Sequence, residues 1–302
     1  MLRRILVNCL CIATLLFSVS VNAKEVTIKH NGLKLNALVD LAPGKKLSDG
    51  VILITHGGLA HNSMESLVYL RQLLNESGYT TLAINLSLGI NNRHGAYNCK
   101  TPHRHRDYDT SNEIDAWLNW LNKQGLKQVV LLGHSRGGGQ TALHAAERDN
   151  DLIKAVVLMA PSTRDNGAAG YQQRYGQPLT PVLDKAQQLV RQGKGDTILE
   201  HANIMFCRDV PVSAASFVSY YGPDDRLDTP ALLPKIKKPV LVLVAGDDEV
   251  VVDLEKKIAP IANSKDLQVN EIESSDHFFR DLFADDAVEV IKGFLVNVAR
   301  LS

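Results

Sequence analysis

Val129-Val130-Leu131-Leu132-Gly133-His134-Ser135-Arg136-Gly137-Gly138-Gly139 is the stretch on which the fold turns. Its first four residues are apolar, two of them β-branched, and read as a strand covered on both faces. They end directly before Gly133-His134-Ser135-Arg136-Gly137, a G-x-S-x-G pattern, and a helix-like segment follows as far as Arg148. The bare pattern is common by chance; a strand before it and a helix after it make it informative. A turn that sharp lifts the serine into a strained conformation and needs flanking glycines, because a side chain there would collide with neighbouring backbone. The helix start also points free N–H groups at whatever the serine attacks. Ser135 is therefore the candidate nucleophile, the plain alternative being a glycine-rich turn with a surface serine. His134 adjoins it in sequence, should point the other way, and is read as structural.

Outward from this turn the chain alternates between strand-like and helix-like segments. Val26–His30 and Leu33–Leu41 flank Asn31-Gly32, a two-residue hairpin signal. Val51–Thr55, Thr80–Asn85, Ala155–Met159, Val240–Ala245 and Leu267–Ile272 read as further strands. Glu65–Ser77 has Leu67, Leu70 and Leu74 on one helical face. Thr110-Ser111-Asn112-Glu113 has the form of a capping box, opening a helix with Ile114, Trp117, Leu118 and Leu121 in register. A closing helix carries Val288, Ile291, Leu295 and Val298 on one side. Continuous apolar strands between helices imply a mostly parallel, doubly wound α/β sheet, with an antiparallel hairpin at the N-terminal edge. From about 161 to 238 the alternation breaks into a polar, proline-dotted stretch with Tyr171, Tyr175, Phe206, Phe217, Tyr220 and Tyr221, read as a lid inserted over the carboxyl ends of the strands.

A serine hydroxyl needs an imidazole to take its proton and a carboxylate to orient that imidazole. In a doubly wound sheet these come from loops after later strands, in the order Ser, Asp/Glu, His. His277, in Ser274-Ser275-Asp276-His277-Phe278-Phe279, is the only histidine beyond His201. The acid lies in Gly246-Asp247-Asp248-Glu249-Val250-Val251, where Asp248 is preferred and Glu249 and Asp247 stay open. Asp276 is a poor candidate, since neighbouring side chains diverge. Thr55-His56-Gly57-Gly58-Leu59 leaves backbone N–H groups uncovered, so Gly58 or Leu59 can join Arg136 in holding a developing oxyanion. His56 is read as a brace for that loop.

These motifs together resemble the α/β-hydrolase superfamily over nearly all of the chain outside the lid. The resemblance rests on His56-Gly57-Gly58, Gly133-His134-Ser135-Arg136-Gly137, the acidic loop at Gly246, and Asp276-His277-Phe278-Phe279, which is similar to the histidine loop of small serine esterases and dienelactone-hydrolase-like members. It implies a Ser-His-Asp triad of Ser135, His277 and Asp248, no metal and no organic cofactor. One spacing departs from the family. Its frequent G-x-x-D counts from Gly246 to Glu249, whereas the D-x-V-V pattern of many members falls on Asp248-Glu249-Val250-Val251.

Composition narrows the partners. The 302 residues hold 33 bases and 33 acids, 45% apolar and 22% charged residues. That balance argues against a nucleic-acid binder and against disorder. Arg3 and Arg4, the apolar run Ile5–Phe17 and the small, polar Ser18–Ala23 form a secretory signal pattern with cleavage after Ala23. The run is short for a bilayer-spanning anchor, and Cys9 and Cys11 lie inside it rather than after it, which disfavours a lipoprotein. The expected mature protein is secreted or periplasmic and not inserted in a membrane. Its two cysteines, Cys99 and Cys207, are expected to form a disulfide across the lid base. His94, His103 and His105 lie near Cys99 in an arginine-rich loop; lacking helical ligand spacing, the loop reads as a solvated basic segment at the pocket mouth rather than a metal site. The expected activity is hydrolysis of a small-molecule carboxylic ester through an acyl-enzyme. A peptidase, an amidase or an acyltransferase on the same triad, and a binding protein that has lost the chemistry, are the alternatives.

Overall fold

The structure is a computed structural model that describes residues 23–164 and 168–299. The expected leader, Ala23 apart, lies outside the described residues. In chain order the elements are β1 (Lys24–His30), β2 (Leu33–Asp40), β3 (Val51–Thr55), α1 (Glu65–Glu76), β4 (Thr81–Asn85), α2 (Asp109–Lys123), β5 (Val129–His134), α3 (Arg136–Glu147) and β6 (Ile153–Met159). Then follow α4 (Ala168–Tyr175), α5 (Thr180–Arg191), β7 (Ile198–Ile204), β8 (Cys207–Ser213), α6 (Ala214–Tyr221), α7 (Thr229–Leu232), β9 (Val240–Ala245), α8 (Leu254–Ile258), β10 (Leu267–Ile272) and α9 (Leu282–Val298).

Eight strands form one sheet in the order β1-β2-β4-β3-β5-β6-β9-β10. The pairs β1–β2 and β2–β4 are antiparallel and the remaining pairs are parallel. The β1–β2 turn is Asn31-Gly32, with φ of 46° and 79°, the left-handed pair that a twisted two-residue hairpin requires. Every residue of β3, β4, β5 and β9 is buried, because helices cover both faces. The strands divide their side chains between two cores. Ile52, Ile54, Val130, Leu132, Leu241 and Leu243 pack under Leu67, Leu70 and Leu74 of α1 and Val288, Ile291 and Leu295 of α9. Leu53, Leu131 and Val156 face the other way, toward Ile114, Trp117 and Leu118 of α2 and Leu143 of α3.

The capping box does not form. Helix α2 begins at Asp109, so Thr110 already lies inside its first turn. Glu113 is buried and its carboxylate accepts the N–H and hydroxyl of Ser87 instead of reaching back to the helix start. The loop after β4 claims the acid that the sequence pattern assigned to the cap.

Within the insertion, residues 168–239 hold α4 to α7 and a separate antiparallel hairpin of β7 and β8. Tyr171 packs edge to face on Tyr175, Phe217 and Tyr221, and Phe217 lies tilted against Tyr221, with ring centroids 4.5–6.2 Å apart. Cys99 and Cys207 are disulfide-bonded, with Cα atoms 5.4 Å apart, and close a chain separation of 108 residues. Beside the bond, His103 N–H donates to Pro211 O and Ser213 N–H donates to His103 O, each at 2.8 Å. The loop before α2 is thus stitched to the β7–β8 hairpin covalently and through backbone. Cross-linking so distant a pair removes conformations from the unfolded chain. Replacing both cysteines by Ala is expected to lower unfolding stability by about 2–4 kcal/mol. A guanidinium midpoint equal to that of the parent protein would contradict this.

Candidate active site

Ser135 occupies the single residue between β5 and α3, at φ 57° and ψ −128°. A non-glycine residue in that region is strained by roughly 1–3 kcal/mol and persists only where its surroundings hold it. The hold is visible. Its N–H donates to Met159 O at 2.9 Å, and its carbonyl accepts from the N–H groups of Gly138, Gly139 and Ser162. The turn also demands close backbone approach. A Cβ on Gly137 would lie 2.3 Å from His56 O, and a Cβ on Gly57 would lie 2.8 Å from Ser135 Cβ and 3.3 Å from its Oγ. The β3 loop and the start of α3 therefore meet at the serine only because both residues lack side chains.

Ser135 Oγ lies 2.8 Å from His277 Nε2, and His277 Nδ1 lies 2.8 Å from Asp248 Oδ2. The three residues come from the ends of β5, β10 and β9, which the parallel sheet gathers at one edge. Nδ1–H donating to the carboxylate leaves Nε2 to accept the serine proton. The other Asp248 oxygen accepts the N–H groups of Val250 and Val251 at 2.7 and 2.8 Å. Burial alone would raise the Asp248 carboxyl, but the hydrogen bonds from His277 and these two amides outweigh it and leave it below its ordinary value. Asp247 and Glu249 are exposed, and Glu249 stands on the cavity wall. Asp276 turns away, accepting from Phe278 N–H at 3.0 Å and pairing with Arg280. Of the three acids in the β9 loop, Asp248 is the one that meets the imidazole.

The adjacent histidines brace loops. His134 is buried, and its Nε2–H donates to the backbone carbonyl of His277 at 2.8 Å, tying the base-bearing loop to the nucleophile strand. His56 is fully buried; its Nε2 accepts from Leu86 N–H at 3.1 Å while Nδ1–H donates to Gly57 O at 3.2 Å. Arg93 Nη2 also lies 3.0 Å from His56 Nε2 and its Nε donates to Leu86 O at 2.7 Å. The sequence reading missed Arg93, which looked like one more base in a polar loop. Among the proposed oxyanion residues, Gly58 and Arg136 line the cavity in front of Ser135, while the Leu59 side chain is buried in the core.

The histidine-rich loop is not solvated. His103 and His105 are buried and hydrogen-bonded to each other at 3.2 Å, and His105 Nδ1 lies 2.8 Å from the Tyr220 hydroxyl. The hairpin of the insertion closes over this loop and drives out water. Only His94 is exposed, paired with Glu25, and Cys99 is consumed by its disulfide. No cluster of three metal-ligating side chains occurs among the described residues.

The cavity above Ser135 has a volume of about 510 Å³, the size of a small-molecule site. Its far walls come from the insertion, with Arg174, Phe206, Tyr220 and Tyr221 facing Ser135 and Arg136.

Residues 51–292 match the family described as the alpha/beta hydrolase family. The chain belongs to the alpha/beta hydrolase family. Within that family it is similar to a probable carboxylesterase M8 of a Phoma strain, 32% identical over an alignment of 148 residues that covers 44% of this chain and 46% of that protein. The alignment thus spans less than half the length of that relative. Among solved structures it shares its fold with Est1E from Butyrivibrio proteoclasticus bound to ferulic acid (TM-score 0.66, 21% identity, 90% of this chain and 98% of that one). A monoacylglycerol lipase from Paleococcus ferrophilus has the same fold (TM-score 0.61, 19% identity, 87% of this chain and 98% of that one). This alpha/beta hydrolase is esterase-like in its relatives.

Five buried histidines contribute to its acid sensitivity. Burial pushes His56 and His105 down to about 3 and His103, His134 and His144 to about 4, from an ordinary 6.5, with Arg93 adding to the first two. Their folded values lie below the unfolded ones, so the unfolded chain takes up protons first. Stability is therefore lost as pH falls from about 6.5 toward 4. The melting temperature is expected to drop by at least about 5 °C between pH 7.5 and 4.5, followed by circular dichroism; equal values would refute the neutral, buried assignment.

Proposed function

We propose that this alpha/beta hydrolase is an exported serine hydrolase that cleaves small-molecule carboxylic esters through an acyl-enzyme. The observation that carries the proposal is the continuous hydrogen-bonded chain Ser135 Oγ–His277 Nε2 and His277 Nδ1–Asp248 Oδ2, each link 2.8 Å long, opening on a cavity. The names of the relatives, a probable carboxylesterase and esterases, favour esters over other acyl substrates.

In this reading Ser135 Oγ attacks the ester carbonyl while His277 Nε2 takes its proton. The Asp248 carboxylate stabilises the imidazolium and keeps the ring in the required tautomer. The oxyanion accepts from the Arg136 N–H and from that of Gly58 or Leu59. As the tetrahedral intermediate collapses, the carbon–oxygen bond to the leaving group breaks and His277 returns the proton to the departing alcohol. Water then enters, His277 deprotonates it, and its attack on the acyl-serine releases the acid and restores the hydroxyl. The insertion, which walls the cavity, would set the preference for acyl and alcohol groups.

A fluorophosphonate probe should label the wild-type protein and leave Ser135→Ala unlabelled. Asp248→Asn should reduce kcat about 10³–10⁴-fold, because the amide no longer enforces the tautomer. Equal labelling of Ser135→Ala would end the proposal, and faster turnover of aryl anilides than of the matching esters would redirect it to amide substrates. Export is supported by the leader pattern over residues 1–23 and by a disulfide that needs an oxidising compartment. The protein recovered from outside the cytoplasm should have Lys24 as its first residue by intact mass, and an uncleaved N-terminus there would contradict the leader reading.

A further inference from the structure

Arg136 follows the nucleophile directly, and its guanidinium is only half used by the protein. Nη1 donates to Asp107 Oδ1 at 2.8 Å. The group also lies 5.2 Å from the centroid of the Tyr220 ring. Among the described residues nothing accepts from its Nε or Nη2, and the side chain keeps 27% of its surface open on the cavity wall.

Both supports are themselves held in place. The Asp107 side chain is 6% exposed, its Oδ1 and backbone carbonyl accept from Gln140 Nε2 at 3.3 and 2.9 Å, and its N–H donates to Ser219 Oγ at 3.3 Å. Tyr220 is fixed through its hydroxyl by the buried pair His105 and His103. Orienting a cation this firmly beside a reacting serine, with half of a planar donor fork left over, suits a ligand carboxylate, which takes two parallel N–H donors.

Two further guanidiniums on the cavity lining, those of Arg164 and Arg174, agree with this assignment. Arg164 also lines the cavity, and its partner is the exposed Asp225 at 3.2 Å, a pair weak enough to yield to a ligand. Asp253 on the same lining is already engaged by Lys257 at 2.9 Å and by the Thr163 hydroxyl. Glu249 is the one exposed acid on the lining among the described residues.

We infer that the cavity accepts esters bearing a carboxylate a few atoms from the scissile carbonyl, seated on Arg136. The inference deepens the ester-hydrolase reading and rests on it. Two pairs of substrates locate the carboxylate: monoethyl glutarate against ethyl pentanoate for the acyl side, and 3-acetoxypropanoate against propyl acetate for the alcohol side. In at least one pair the wild-type kcat/KM should favour the anionic ester tenfold or more, and raising the salt to 0.5 M should shrink that advantage, as screening requires. In Arg136→Gln the ratio should fall to near one, and Arg136→Lys should restore part of it. The ratio cancels any loss common to both esters, so a general defect in the variant does not mimic the result.

Binding of glutarate to Ser135→Ala, measured by calorimetry, gives a readout free of turnover and of any folding defect at Arg136; saturable binding that 0.5 M salt weakens is expected. Cleavage of neutral esters with no anionic preference in either pair overturns this inference and leaves the ester-hydrolase reading standing. So does a preference that survives in Arg136→Gln. Failure of the fluorophosphonate probe to label Ser135 brings down both. Labelling without turnover of any of the four esters, together with no glutarate binding, overturns the inference alone.

Discussion

Everything at the working edge of this sheet depends on one strained residue held by close backbone contacts. Ser135 cannot adopt its conformation unless the end of β5, the first turn of α3 and the loop after β3 come together without side chains between them. Gly57 and Gly137 make that possible: a methyl group on either would strike Ser135 itself or the carbonyls of Thr55 and His56. Strain of this kind is stable only when the surrounding structure determines it from several sides. Here the backbone of Met159, Gly138, Gly139 and Ser162 does so through four hydrogen bonds.

The polar groups around this turn divide by burial. His56 and His134 lie so deep that desolvation keeps them neutral, and a neutral imidazole can donate at one nitrogen and accept at the other. His56 uses both to hold the loop ahead of Gly57. His134 spends one on the backbone of His277, which positions the loop carrying the third member of the chain. His277 sits between a hydroxyl and a carboxylate that its own loop does not supply. Three histidines of the same chemical type thus divide into two braces and one side chain available for proton transfer.

The insertion between β6 and β9 is built as a wall rather than a loose flap. It has its own aromatic cluster, its own two-stranded sheet, and a disulfide that ties it to the loop preceding α2. The same junction buries His103 and His105 and, through Tyr220, reaches the guanidinium of Arg136. The contacts that hold the insertion down therefore also fix the electrostatics of the cavity floor.

The amino-acid sequence by itself determined the layered α/β sheet, because apolar runs of strand length between amphipathic helices have few other ways to bury their surface. It also pointed to Ser135, because G-x-S-x-G between strand and helix is a local pattern, and to His277, the last histidine in the chain. The sequence preferred Asp248 among three consecutive acids but left Asp247 and Glu249 open, and only tertiary structure brings one of them, Asp248, against an imidazole 29 residues away. Tertiary structure likewise turned a histidine-rich loop that reads as solvated into buried, neutral pairs, placed Glu113 on Ser87 instead of a helix cap, and set Asp107 against Arg136. Those outcomes depend on which distant segment covers a polar residue, and periodicity along the chain carries no record of that.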